Sequence, residues 1–243
     1  MTVLVLAGTR EGREIAAGLA ERAIPVLASI AGRTRRPLDP GVPLRTGGFG
    51  GADGFRDVLR DEGVTAVIDA THPFAEEITA RTARICREEG LPHLLLRRPG
   101  WTPGPGDDWT FIAREADLAR HAPPGATVFL ATGPQRIDRF TGLEGRRVLC
   151  RRVDPAPEPF PFEGGDWVVG RPPFGLDDEK ALFALLGVDL LVTKNSGGPE
   201  GRAKLDAARA LRLPVVLLDR PPLPEGVEPV QTVAEALHWA EEL

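Results

Sequence analysis

Four stretches of this chain hold residues that could bind a charged ligand or move a proton. The first is Ala7-Gly8-Thr9-Arg10-Glu11-Gly12, directly after an apolar N-terminal run. Small residues there let a backbone approach a phosphate, and the N-terminus of the helix that follows Gly8, Thr9, Arg10, Glu11 and Gly12 favours negative charge. Thr9 adds a hydroxyl donor. The spacing departs from Gly-x-Gly-x-x-Gly, so a tight structural turn fits these residues equally well. The second stretch is Ser29-Ile30-Ala31-Gly32-Arg33-Thr34-Arg35-Arg36, with no acid before Asp39. A carboxylate in such a place suits the ribose hydroxyls of NAD, whereas arginine suits the 2′-phosphate of NADP. Ser29, Arg33 and Arg35 therefore favour NADP, with a solvated basic loop as the alternative.

The third stretch, Asp69-Ala70-Thr71-His72-Pro73-Phe74, ends another apolar run. Thr71 is placed to touch a cofactor. His72 is the best placed of His72, His93, His121 and His238 to donate a proton near neutral pH, although it could equally pack its own loop. Asp69 could merely anchor backbone amides. The fourth is Thr193-Lys194-Asn195-Ser196-Gly197-Gly198. Lys194 joins His72 as a candidate catalytic residue, while Asn195, Ser196 and Gly197 offer donors and a close backbone to a carboxylate or phosphate. The glycines follow the lysine, so this is no Walker loop. Arg136, in Thr132-Gly133-Pro134-Gln135-Arg136, could pair with an acidic substrate or belong to the surface charge of an arginine-rich chain. Lys204 reads as solvated.

The elements that must position these loops follow an alternating rhythm. Strands are predicted at Val3–Ala7, Pro25–Ile30, Ala66–Ala70 and His93–Arg97, with shorter ones at Leu44–Thr46 and Thr110–Ile112. Helices are predicted at Arg13–Glu21, at Asp53–Glu62 with Asp53 as cap, and at Ala75–Glu89. Thr127–Ala131 restarts the pattern, and strands follow at Arg147–Val153, Trp167–Gly170, Leu190–Thr193 and Val215–Asp219. A helix at Val233–Leu243 could pack on either half. Gly63-Val64, Leu91-Pro92 and Arg98-Pro99 align with Gly187-Val188, Leu213-Pro214 and Arg220-Pro221, which points to one fold unit used twice. The expected fold class is α/β: two similar Rossmann-like (flavodoxin-like) parallel-sheet domains facing across a cleft. The expected division is residues 1–122 for the nucleotide and 123–243 for the substrate.

Composition narrows the functions. A net charge of -5 gives no nucleic-acid signature. No run approaches the roughly 20 apolar residues that span a bilayer. The start Met1-Thr2-Val3-Leu4-Val5-Leu6 reads as a strand, not an export signal. Cys86 and Cys150 have no metal-ligand or disulfide-framework spacing, so no metal is expected and a reducing cytoplasm fits. The absence of tyrosine excludes a Tyr-x-x-x-Lys proton relay.

Taken together, these residues resemble the precorrin-6A reductase family of cobalamin biosynthesis. The likeness is carried by Leu6-Ala7-Gly8-Thr9-Arg10-Glu11-Gly12, Asp69-Ala70-Thr71-His72-Pro73-Phe74-Ala75 and Thr193-Lys194-Asn195-Ser196-Gly197-Gly198, in the family's order. It covers nearly the whole chain, and residues 100–165 are the least distinctive part. The resemblance implies reduction of a double bond in the precorrin-6A macrocycle to give precorrin-6B, with NADPH as hydride donor. The nucleotide's diphosphate is then expected over Gly8–Gly12, and its 2′-phosphate on Arg33 with Ser29 or Arg35. The macrocycle's carboxylates are expected on Arg136, Lys194, Asn195 and Ser196. His72 is the candidate acid, with water or the substrate's own tautomerism as alternatives. The product would pass to neighbouring pathway enzymes. Three alternatives stand beside this one: an NADH-using reductase of the cobalt-containing substrate, a cofactor-free enzyme of the uroporphyrinogen-III synthase type, and a non-enzymatic two-lobed binding module.

Overall fold

The structure, a computed structural model, describes residues 1–32, 41–155, 157 and 159–243. Arg33 and Arg35 lie outside the described residues. The chain forms two compact units, one from Met1–Pro99 with Pro221–Leu243, the other from Gly100–Arg220.

The first unit contains strands β1 (Thr2–Leu6), β2 (Val26–Ile30), β3 (Leu44–Thr46), β4 (Val64–Asp69) and β5 (His93–Leu95), and helices α1 (Arg10–Glu21), α2 (Ala52–Asp61) and α3 (Glu76–Glu88). The strands are parallel in the order β3-β2-β1-β4-β5. Of the doubly wound orders, this is the Rossmann one. β1 is aliphatic from Val3 to Leu6 because helices cover both of its faces. Val3 and Val5 pack with Ile15, Ala16 and Leu19 of α1. Leu4 and Leu6 point the other way, toward Phe55 and Leu59 of α2 and Ile85 and Cys86 of α3.

Helix starts explain two small departures from expectation. α1 begins at Arg10 because the Thr9 side chain accepts from the Gly12 amide and caps it. Gly51, not Asp53, occupies the cap position of α2, so Asp53 falls in the first turn, where its charge suits the helix dipole.

The second unit contains β6 (Trp109–Ile112), β7 (Thr127–Leu130), β8 (Arg147–Arg152), β9 (Asp166–Val169), β10 (Leu190–Lys194) and β11 (Val215–Leu218), with α4 (Leu176–Leu186) and α5 (Ala203–Leu211). Its order is β6-β11-β10-β7-β8-β9. Read from β9, this repeats the first sheet position by position: β9-β8-β7-β10-β11 matches β3-β2-β1-β4-β5. Phe129 meets Phe183 of α4 edge-on at 5.2 Å, in a core with Leu191, Leu205, Leu217 and Trp101.

The sixth position of each sheet carries the correction to the expected domains. Beside β11 lies β6, in register from Trp109–Val215 to Ile112–Leu218. Beside β5 lies Val230, bridged in parallel to Leu96. The division therefore falls at Pro99/Gly100 and Arg220/Pro221, not at residues 122 and 123. The final helix α6 (Val233–Glu241), boxed at its start by Thr232 and Glu235, buries Ala236, Leu237 and Ala240 in the core of the first unit.

Candidate active site

In the first unit, the order of the strands reverses between β1 and β4, and a ligand crevice forms at the carboxyl ends of strands flanking such a point. The turn after β1 holds Gly8, and the turn after β4 holds Thr71 and His72. A Cβ on Gly8 would lie 3.4 Å from the Thr71 Cα and 3.7 Å from the His72 nitrogen, so glycine keeps the gap between the turns open. A Cβ on Gly12 would lie 2.7 Å from the Ala7 Cα, so only glycine lets α1 sit this close to β1. Both features fit a nucleotide diphosphate received by backbone amides at a helix start.

The side chains of that helix start are largely occupied. The Thr9 hydroxyl donates to the Ala70 carbonyl at 2.8 Å and receives the Gly12 amide, so it ties α1 to β4 instead of offering the free donor that was expected. Glu11 is mostly buried and paired with Arg98 at 2.8 Å, and Arg10 is paired with Glu14 at 2.6 Å. What remains for a phosphate is the backbone.

The turn after β4 is set by Asp69, whose Oδ1 accepts from the Thr71 amide at 3.0 Å, the anchoring role expected of it. The Thr71 hydroxyl lies 3.3 Å from that of Thr79 on α3. His72 Nδ1 accepts from the Phe74 amide at 3.2 Å. In that neutral tautomer the ring proton sits on Nε2, leaving it as the donor. Thr71, His72, Glu76 and Thr79 line a cavity of about 200 Å³, closed by Arg97 and the Pro221–Pro224 segment. Sequence reasoning missed Arg97. Its signal was the Arg97-Arg98-Pro99 run just after β5, in a chain where arginine is too common to stand out. Its guanidinium donates to the Pro221 carbonyl at 2.7 Å, and burial pulls its pKa down.

In the second unit, the loop after β10 is tightly tied. Asn195 Oδ1 accepts from the Trp101 amide at 2.7 Å and its Nδ2 donates to the Trp101 carbonyl at 3.3 Å. Trp101 Nε1 donates to the Gly198 carbonyl at 2.8 Å, and Arg220 Nε donates to the Asn195 carbonyl at 2.7 Å. The Asn195 side chain, expected to meet substrate, thus holds the Trp101 segment. Gly197 and Gly198 adopt left-handed backbone, at φ 68° and 74°. The Ser196 hydroxyl lies 3.4 Å from the Lys194 carbonyl. Lys194 ends β10, near enough to Cys150 to pull that thiol's pKa down against the larger effect of burial, which pushes it up to about 12.

Arg136 lies in a 3-10 segment and faces the buried Glu115 at 3.8 Å, so part of its charge is met within the protein. Lys204, read as solvated, is mostly buried. Its Nζ donates to the Gly201 carbonyl at 2.7 Å and sits 5.1 Å from the centre of the Trp101 ring. Burial lowers its pKa to about 8, against the pull of Glu179. Among the described residues no cluster of three or more His, Cys, Asp or Glu could hold a metal, and no helix is long and apolar enough to cross a membrane.

Residues 2–241 match the family model described as precorrin-6x reductase CbiJ/CobK. The chain is 44% identical over 239 residues to the precorrin-6A reductase of Rhodococcus erythropolis, covering 98% of this chain and 96% of that one. It is 40% identical over 223 residues to the precorrin-6A reductase of Rhodobacter capsulatus, covering 91% and 89%. A solved structure titled CobK precorrin-6A reductase superposes with a TM-score of 0.92 at 37% identity, covering 100% of this chain and 96% of that one.

Proposed function

The chain belongs to the precorrin-6x reductase family, CbiJ/CobK, and we propose that its first unit holds NADPH while loops of its second unit hold the substrate. It is an oxidoreductase of cobalamin biosynthesis that reduces precorrin-6A, a tetrapyrrole, with a nicotinamide cofactor. Family membership sets aside the cofactor-free synthase and the binding module. When bound, the cofactor supplies a hydride to an electrophilic ring carbon, while the adjacent carbon takes a proton.

One observation carries the assignment of the first unit. A sheet in Rossmann order keeps a gap at Gly8, between the turns after β1 and β4, beside a largely apolar cavity that Thr71, His72, Glu76, Thr79 and Arg97 edge with polar groups. In this reading the amides at the start of α1, from Gly8 to Gly12, receive the diphosphate. Thr71 and the cavity next to it orient the reactive end. His72 offers its Nε2 proton at that end, and Arg97 adds positive charge for an anionic group. Arg33 and Arg35, on sequence grounds, meet the 2′-phosphate. In the second unit Lys194, Ser196 and the Gly197 backbone receive substrate carboxylates. Asn195 contributes by holding that loop, and Arg136 gives what its pairing with Glu115 leaves over. The protein then acts mainly by orientation and electrostatics.

Single-turnover reduction of precorrin-6A by His72→Ala, followed by loss of nicotinamide absorbance, tests the proton donor. A rate about 10²-fold below the parent's is expected of a lost general acid. An unchanged rate would hand the proton to water and refute the role.

A further inference from the structure

The structure points to Arg45, which no motif singled out, as a residue that selects NADPH over NADH. β3 lies parallel to β2, with Arg45 opposite Ser29. The carboxyl end of the second strand is where a Rossmann sheet meets the ribose of the adenosine. Arg45 Nη1 donates to the Gly47 carbonyl at 2.8 Å and lies 3.5 Å from the Ser29 hydroxyl, while Nη2 donates to the Gly48 carbonyl at 2.7 Å. A guanidinium has five N–H donors in a fixed fork. The one on Nε and one on Nη2 have no partner among the described residues, and they lie on one edge of the fork. That edge is the shape that grips two oxygens of a phosphate at once.

The surroundings favour an anion. The Arg45 Cζ sits 4.2 Å from the centre of the Phe49 ring, and the Arg81 Cζ lies 5.6 Å from the same ring. Neither guanidinium makes an ion pair among the described residues, and the buried Nε of Arg81 has no hydrogen-bond partner. Two cations around one ring, with no carboxylate at ion-pair distance from either among the described residues and Glu77 acting on Arg81 only from farther away, leave positive charge beside the ribose position. The carbonyls of Gly47 and Gly48 and the ring of Phe49 hold the Arg45 fork in place, so little order has to be gained on binding. Ser29, only 5% exposed, supplies a hydroxyl beside it.

This inference rests on the NADPH reading above, and calorimetric titration separates the two. The parent is expected to bind NADPH more tightly than NADH; equal affinities would overturn the NADPH reading and Arg45's part in it together. With that preference present, Arg45→Gln is expected to weaken NADPH about tenfold or more and NADH by about twofold or less, the range for a lost hydrogen bond to a charged group. A variant that keeps the preference, or loses both nucleotides equally, overturns the role of Arg45 alone, the second result marking it as a brace for the Gly47–Gly48 loop. If Arg45→Gln does not fold, Arg45→Lys serves, since it keeps the charge and loses the fork. A retained but reduced preference supports the inference, and equal loss of both nucleotides overturns it.

Discussion

Replacing Asn195 with alanine should unfold the second unit earlier. Asn195 joins two segments that are far apart in sequence, accepting the Trp101 amide at 2.7 Å and donating to its carbonyl at 3.3 Å. Trp101 is 7% exposed, so water cannot readily replace the lost acceptor. An orphaned buried amide costs about 1–3 kcal/mol, and the longer second bond adds roughly 0.5–1 kcal/mol. A total of about 1.5–4 kcal/mol corresponds to a fall in Tm of roughly 6–16 °C for a domain of this size. Urea unfolding followed by tryptophan fluorescence measures it, and Trp101 is itself a reporter. Asn195→Asp keeps an acceptor for the amide but loses the donor, so it should lose only the roughly 0.5–1 kcal/mol of the second bond. If Asn195→Ala unfolds within about 0.5 kcal/mol of the parent while precorrin-6A binding collapses, the clamp argument is refuted. Asn195 would then be a ligand-contacting residue after all.

Two further outcomes follow from buried titratable groups. Burial holds the pKa of Lys204 at about 8 in the folded protein, below its unfolded value of 10.5. Below about pH 8 the amine is charged in both states and the burial penalty is present in full. Between the two values the unfolded chain binds more protons, so this group's contribution to stability rises with pH, by at most about 1.4 kcal/mol per unit and less where water screens it. The Cys86 and Cys150 thiols, pushed up to about 12, act in the opposite direction above about pH 9. The readout is therefore the difference between the parent and Lys204→Met in urea midpoints from pH 7.5 to 10, and a constant difference contradicts the assignment. The same burial should make both thiols inert to a disulfide reagent in the native protein at pH 8 and reactive in denaturant. Prompt labelling of either one in the native state would show that its core opens.

Much of the first unit was legible because each strand announces itself locally. Val3–Leu6 is an unbroken apolar run and Val64–Ile68 is broken only by Thr65, as a parallel strand covered on both faces requires. The partner of a strand is another matter. Nothing within Trp109–Ile112 says that it pairs with Val215–Leu218, because that choice is made by contacts about a hundred residues away. The expected boundary failed for this reason. The site divides in the same way. That Gly8 and Gly12 follow one strand and Thr71 another was legible from residue type and the apolar runs before them. The occupation of Asn195 by Trp101, of Glu11 by Arg98 and of Thr9 by Ala70 was not, because a side chain's partner depends on which loops fold together. Arg45 and Arg97 were hidden by composition: arginine is nearly the only cation this chain uses, so its presence carries little information until the fold gives it a place.

The return of the chain to the first unit has a consequence for biosynthesis. The second unit is one continuous stretch nested inside the first, and all of its strands have been translated by Arg220. The first unit is begun earlier and finished later. Until Pro221–Leu243 emerges, Leu96 lacks its neighbour Val230, and α1 lacks the cover of Ala236, Leu237 and Ala240. On the ribosome the order of completion is therefore inverted, with the inner unit closing first. The first unit is complete only once α6 has been made, so a nascent chain stopped short of Val230 presents an uncovered apolar face to chaperones and proteases.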